Sequence, residues 1–175
     1  DEVNASAVSL TVGRLDWGAF PWQGHESQQS SQVTDSGRDY VGEAVDTLRC
    51  GAEGGQRVVV LGIDVLLGRD LENGSVTAGR TADGETAELF ASLSSWKHGE
   101  LRPRLVALAE ELAVRYRPDA VNLTELFLEA TFGADDRADY LTSTGRDDWP
   151  RTADGAIDEQ HPSIAAWRSE TVAAI

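Results

Sequence analysis

Arg117-Pro118-Asp119-Ala120-Val121-Asn122-Leu123-Thr124-Glu125-Leu126-Phe127 is the stretch whose reading decides the fold. A helical run ends at Arg117-Pro118, because proline has no N–H with which to continue the ladder. A short apolar strand then begins near Ala120 and runs into Asn122, Thr124 and Glu125 at its far end. In a parallel α/β fold the carboxyl ends of the strands are where ligands bind and chemistry happens. Glu125 is therefore a candidate for chemistry, against the plainer role of capping the next segment or pairing with an arginine.

Working upstream, Leu105, Leu108, Ala109, Leu112 and Tyr116 form one apolar stripe, which predicts a helix from about Pro103 to Arg117. Before it, Glu85 to Trp96 reads as a short helix, and residues 67–84 as a Gly- and Asp-containing excursion with a turn at Asn73-Gly74. Arg57-Val58-Val59-Val60-Leu61-Gly62-Ile63-Asp64 is near-continuously apolar, the pattern of a central parallel strand covered on both faces. Asp64 closes it, a second carboxylate at a strand end. Asp35 or Ser36 caps a helix from about Arg38 to Glu53, stopped by Gly54-Gly55. The alternating run Ala7 to Gly13 predicts a first strand. It empties into Asp16-Trp17-Gly18-Ala19-Phe20-Pro21-Trp22, where aromatic rings surround one carboxylate. Such rings suit the apolar face of a sugar, or equally plug one end of the core. Glu26 to Asp35 reads as an exposed Ser- and Gln-rich loop.

Downstream, Gly133 to Thr144 reads as a helix with Ala138 and Leu141 inward, and a last helix starts at His161-Pro162-Ser163. Trp167 lies one turn after Ile164 on that helix, a spacing that assigns it, with Trp149, to architecture. Strand, long loop and helix thus recur three times. Right-handed crossovers make the three strands parallel, with their long loops at one end. Eight strands, at roughly 250 residues, are needed to close a barrel. We therefore expect one domain over residues 1–175, an α/β fold forming the amino-terminal part of a (β/α) barrel. The alternative is a small open parallel α/β sheet. Bare sheet edges would be covered by the remainder of the barrel or by another chain.

Composition narrows the partners. Lys+Arg 15 against Asp+Glu 30 gives a formal charge of −15, which argues against nucleic-acid backbones and anionic membranes. Nothing approaches the apolar run of a membrane helix. Cys50 is the one cysteine, so no internal disulfide forms, and its helical setting predicts a quiet buried thiol. His25, His98 and His161 lack metal-ligand spacing, so no metal is expected.

Several segments together resemble a bacterial glycoside-hydrolase-like (β/α)8 barrel family, found alone or attached to phage-tail-like and cell-surface proteins. They are Ala120 to Phe127, Tyr140 with Thr144 to Arg151, Asp154 to Asp158, Pro162 to Ser169, and the Val60 to Asp64 strand. The resemblance covers the amino-terminal half of such a barrel. It implies a carbohydrate ligand, no metal or organic cofactor, and an extracellular or cell-surface setting. The later strands, where such barrels often keep a key catalytic carboxylate, have no counterpart here.

A glycoside hydrolase places two carboxyl groups across the scissile bond, one as acid and the other as nucleophile or base. Glu125 is the acid candidate, since Leu126 and Phe127 beside it would raise its pKa. Asp64 is its catalytic partner or orienting group. Asp16, Trp17, Trp22 and Asn122 are the expected substrate-binding residues, the tryptophans as stacking platform. The competing reading is a non-catalytic carbohydrate-binding or scaffolding module that uses the same loops without cleavage.

Overall fold

The computed structural model describes residues 5–50, 57–65, 77–125 and 130–174. In chain order the elements are β1 (Ala7–Arg14), β2 (Trp17–Gly18), a single 3-10 turn (Glu26–Gln28), α1 (Ser31–Ser36) and α2 (Tyr40–Cys50). Then come β3 (Val58–Asp64), β4 (Ala78–Arg80), β5 (Thr86–Ala91), α3 (Leu93–His98) and α4 (Leu101–Tyr116). β6 (Ala120–Thr124), α5 (Ala134–Thr144) and α6 (Pro162–Ala174) complete the chain. These pack as two compact units, residues 1–65 with 104–126, and residues 66–103 with 127–175. The expected glycine stop of α2 at Gly54-Gly55 and the turn at Asn73-Gly74 lie outside the described residues.

The first unit is a four-stranded, mostly parallel sheet in the order β2-β1-β3-β6. β1, β3 and β6 run parallel and neighbour one another in chain order, and the two-residue β2 returns antiparallel to β1. The α/β class and the three parallel strands expected from the sequence are present. Right-handed crossovers between strands adjacent in both chain and sheet put α2 and α4 on the same face. That face carries Val59, Leu61 and Ile63, all fully buried. The opposite face carries Ala7, Ser9 and Thr11 of β1, Val58 and Val60 of β3, and Asn122 of β6. Of these only Val60 is even half-buried. The expectation that β3 is covered on both faces is thus corrected: it is central in the sheet but packed on one side. Its β-branched run satisfied strand propensity on the open face without needing burial there.

Helix periodicity accounts for what these helices bury. α2 buries Val41 and Val45. Cys50 lies nine residues past Val41, half a turn away on the helix, and is exposed instead of buried as expected. Arg49, on the same last turn, donates to the Tyr116 and Arg117 carbonyls at 3.0 and 2.6 Å, satisfying the open end of α4. The Glu26–Asp35 stretch is not an extended loop. Ser30 accepts from the Val33 N–H and starts α1, and Gly37 ends it in the left-handed region at φ 66°.

The second unit contains the antiparallel pair β4–β5 and helices α3, α5 and α6. The helix expected over Glu85–Trp96 is instead a strand and a shorter helix. Ala, Glu and Leu favour helix locally, but pairing with β4 prevails up to Ala91, and Ser92 then caps α3 by accepting from the Ser95 N–H at 3.1 Å. Leu93, Phe132, Tyr140, Trp149, Ile164 and Trp167 form the core. Trp149 stacks on Tyr140 at 4.3 Å between centroids, and Trp167 meets both edge-on at 5.7 Å. The architectural assignment of Trp149 and Trp167 agrees with this burial. Of the two residues of α5 expected inward, Leu141 is half-buried and packs against this core, whereas Ala138 is exposed, and Asp136 and Tyr140 are the helix's buried residues.

Candidate functional site

The carboxyl end of the first unit's sheet gathers most of the expected site residues. Register runs across all four strands there: Trp17 opposite Arg14, Arg14 opposite Asp64, Asp64 opposite Thr124. Residues in one cross-strand row share a face, so an aromatic ring, a guanidinium, a carboxylate and a hydroxyl line up over about 14 Å at normal strand spacing. The Thr124 hydroxyl donates to Asp64 Oδ1 at 2.5 Å, and Arg14 Nε lies 3.8 Å from Asp64 Oδ2. Asn122, two residues before Thr124, shares its face and is exposed.

A local irregularity makes this row. Between Thr11 and Gly13 the register of β1 on β3 shifts by one residue. Without that bulge Gly13 would oppose Asp64, and Arg14 would lie beyond the row. Gly13 also permits the tight return into β2, since a Cβ there would come within 2.7 Å of the Trp17 carbonyl oxygen. No pattern in the sequence signalled the bulge, and Arg14 was missed for that reason.

Glu125 follows Thr124 directly, is exposed, and adopts φ 63°. A non-glycine residue in that left-handed region stores strain of a kind that clusters at functional sites. The apolar setting expected from Leu126 and Phe127 lies outside the described residues. Asp16, only 3% exposed, sits in the turn between β1 and β2 at the same end. The structure thus brings Asp16, Trp17, Asp64, Asn122 and Glu125 to one end of the sheet.

Trp22 is not among them. It is 3% exposed and lies beside Ala107, Glu110, Glu111 and Val114 of α4, while Arg115 donates to the Pro21 carbonyl next to it. That part of α4 leads into the amino end of β6, so Trp22 flanks the sheet away from Asp64. Phe20, fully buried, packs between Trp22 and Tyr116. The Tyr116 hydroxyl donates to Asp39 at 2.6 Å, and burial followed by that hydrogen bond drives its pKa upward.

The second unit holds a polar cluster that sequence reasoning did not single out. Asp135 Oδ2 accepts from Thr77 at 2.5 Å and Ser92 at 2.6 Å. Asp136 is fully buried at the third position of α5, and its Oδ1 accepts the Ser94 N–H at 2.8 Å. Burial pushes its carboxyl up to about 7, with the neighbouring Asp135 adding to the rise and the Ser94, Gly133 and Leu93 N–H groups opposing it. Asp139 goes the other way. Burial would raise it, but donors on His98, Trp167 and Lys97 outweigh burial and hold it below the usual carboxylate range. Asp135 and Asp136 tie the starts of α3 and α5 together, and Asp139 ties α5 to the end of α3 and to α6.

Among the described residues no helix is long and apolar enough to cross a membrane. Comparison with protein-family models, with curated proteins and with solved structures finds no match to this chain.

Proposed function

We propose that the first unit is the amino-terminal part of a (β/α) barrel whose strand ends act on a polysaccharide, with Glu125 as acid and Asp64 as the second carboxylate. The observation that carries this reading is the row Trp17, Arg14, Asp64, Thr124, followed at once by the strained Glu125. Two features support the barrel. Parallel strands follow one another in chain order with both helices on one face, and the other face is left open, as the lining of a barrel would be before the remaining strands close it. The remainder of the barrel or another chain would cover that face and the edge of β6.

In the reaction, a sugar ring stacks on the half-buried Trp17 while Arg14 and Asn122 hydrogen-bond its hydroxyls. Glu125 transfers its proton to the glycosidic oxygen as the bond to the anomeric carbon breaks. Asp64 either bonds to the anomeric carbon, in an ester that water then hydrolyses with Glu125 taking back a proton, or removes a proton from the water that attacks that carbon directly. Trp22 has no part in this, being turned into the core.

A second reading has its own support. Asp64 is already engaged by Thr124 and Arg14, as it would be in a carbohydrate-binding module that does not cleave. One experiment separates the two: a polysaccharide panel probed for both retention and reducing-end release, with the parent, Glu125→Gln and Trp17→Ala. Hydrolysis by the parent, lost in Glu125→Gln with retention kept, supports the enzyme. Retention without release in the parent, lost in Trp17→Ala, supports the module. Neither retention nor release on any glycan overturns both.

A further inference from the structure

α4 buries one face and presents another. Leu105, Leu108, Leu112 and Tyr116 are buried, whereas Val106, Glu110, Ala113 and Val114 recur at helical spacing and are exposed, Val114 by 75%. From Val106 to Val114 this stripe is about 12 Å long at 1.5 Å per residue. Beside it runs a groove of about 330 Å³, lined by Trp22, His25, Ala107, Glu110, Glu111 and Val114 among others.

The groove is held in shape. His25 stacks on Trp22 with centroids 3.9 Å and planes 19° apart. Arg115 fastens the Pro21–Trp22 segment to α4 through the Pro21 carbonyl, and also meets Asp39 at 2.9 Å and Glu111 at 3.4 Å. Arg115 is therefore fully occupied. Among the described residues no cation pairs with Glu110. The groove thus combines an aromatic stack, an open carboxylate, a second one only loosely paired, and an apolar rim.

We infer that this groove docks a basic amphipathic segment of a partner protein. A lysine or arginine enters between Glu110 and the half-buried His25, which Trp22 holds in place from behind, while an apolar neighbour covers Ala107 and Val114. Charge decides the occupant. An acidic or purely apolar segment would desolvate Glu110 with no countercharge, a cost that a cation removes. A formal charge of −15 also steers basic partners toward the surface. The i, i+4, i+7, i+8 spacing along α4 is that by which one helix face meets another. This site is on the helix-covered side of the sheet, and it stands whatever the strand ends do.

The test uses the full chain and a fluorescein-labelled helical peptide of lysine and leucine, with a glutamate-for-lysine version as comparison. Binding is followed by anisotropy at low salt. The parent should bind the lysine peptide saturably and the glutamate peptide not at all. Glu110→Lys and Val114→Ser, both at exposed positions, should each weaken binding about tenfold, as central contacts of a docking site do. Glu88→Lys makes the same charge change at an exposed position in the other unit and should leave affinity within about twofold. No saturable binding would overturn the proposal, as would indifference to Glu110→Lys and Val114→Ser. Equal weakening by Glu88→Lys would also overturn it, since that is the response of a diffuse acidic surface.

Discussion

Among the described residues Asp136 is the most deeply buried carboxylate, and it ties the stability of the second unit to pH. Its side chain is 0% exposed, with Oδ2 unpartnered among the described residues. The carboxyl stands at about 7 when folded against 3.8 for the free side chain. The folded state therefore binds a proton more tightly than the unfolded one. Stability from this group is fully present below pH 3.8 and is lost as pH rises through 7. A difference of about three pKa units corresponds to about 4 kcal/mol as an upper bound, of which roughly 2–3 kcal/mol falls between pH 5 and pH 8.

The perturbation is Asp136→Asn, which keeps an acceptor for the Ser94 N–H but has nothing to titrate. Urea unfolding of parent and variant, followed by tryptophan emission from pH 5 to pH 8, isolates the contribution. Other carboxylates titrate in both proteins and cancel, including Asp139, whose lowered pKa works in the opposite direction. The variant should gain on the parent by roughly 2–3 kcal/mol across that range, most steeply between pH 5 and pH 6 and levelling off above pH 7. A difference that stays flat with pH would refute the argument. It would mean that Asp136 keeps its charge when folded, so that the three surrounding N–H groups outweigh burial.

Two further outcomes follow from the packing. Trp167→Ala removes a side chain 1% exposed, together with its hydrogen bond to Asp139 at 2.7 Å, and should destabilise the second unit by about 3–5 kcal/mol in the same urea assay. Glu125→Gly should stabilise the first unit by roughly 0.5–1 kcal/mol, because glycine adopts φ 63° without steric cost, and it should abolish whatever hydrolysis the parent shows. A less stable glycine variant would mean that the left-handed conformation at Glu125 carries no strain.

The parallel strands were legible because their signals are local. Val58 to Ile63 is β-branched, Ala7 to Gly13 alternates, and Pro118 forces a break just before Ala120. From strand direction alone it followed that Asp64 and Glu125 end up at one end of the sheet, and they do. Other features depended on contacts that no local pattern records. Thr86 to Ala91 is helical by propensity and becomes a strand only because β4 is there to pair with it. Trp22 looked like a sugar platform because its neighbours in sequence are aromatic, but Arg115, distant in sequence, draws its loop against α4.

Arg14 and Asp136 show most clearly what chain-order reasoning misses. Whether Arg14 meets Asp64 depends on one extra residue in β1, and a single bulge moves a side chain into or out of the row. Asp136, at the third position of a helix, has the profile of a surface carboxylate that favours the helix start, and the sequence offers Ala138 and Leu141 as the inward residues of α5. The packed unit keeps Leu141 against the core but turns Ala138 outward. Ser94 offers its N–H to Asp136, so the start of α5 faces the start of α3 and the carboxylate turns inward with Tyr140. The polar bond fixes the rotation of the helix, and the apolar stripe follows it. Legibility at the strand ends thus rests on topology, which sequence can carry. The identity of the groups that face one another rests on register and helix rotation, which are set by partners distant in the chain.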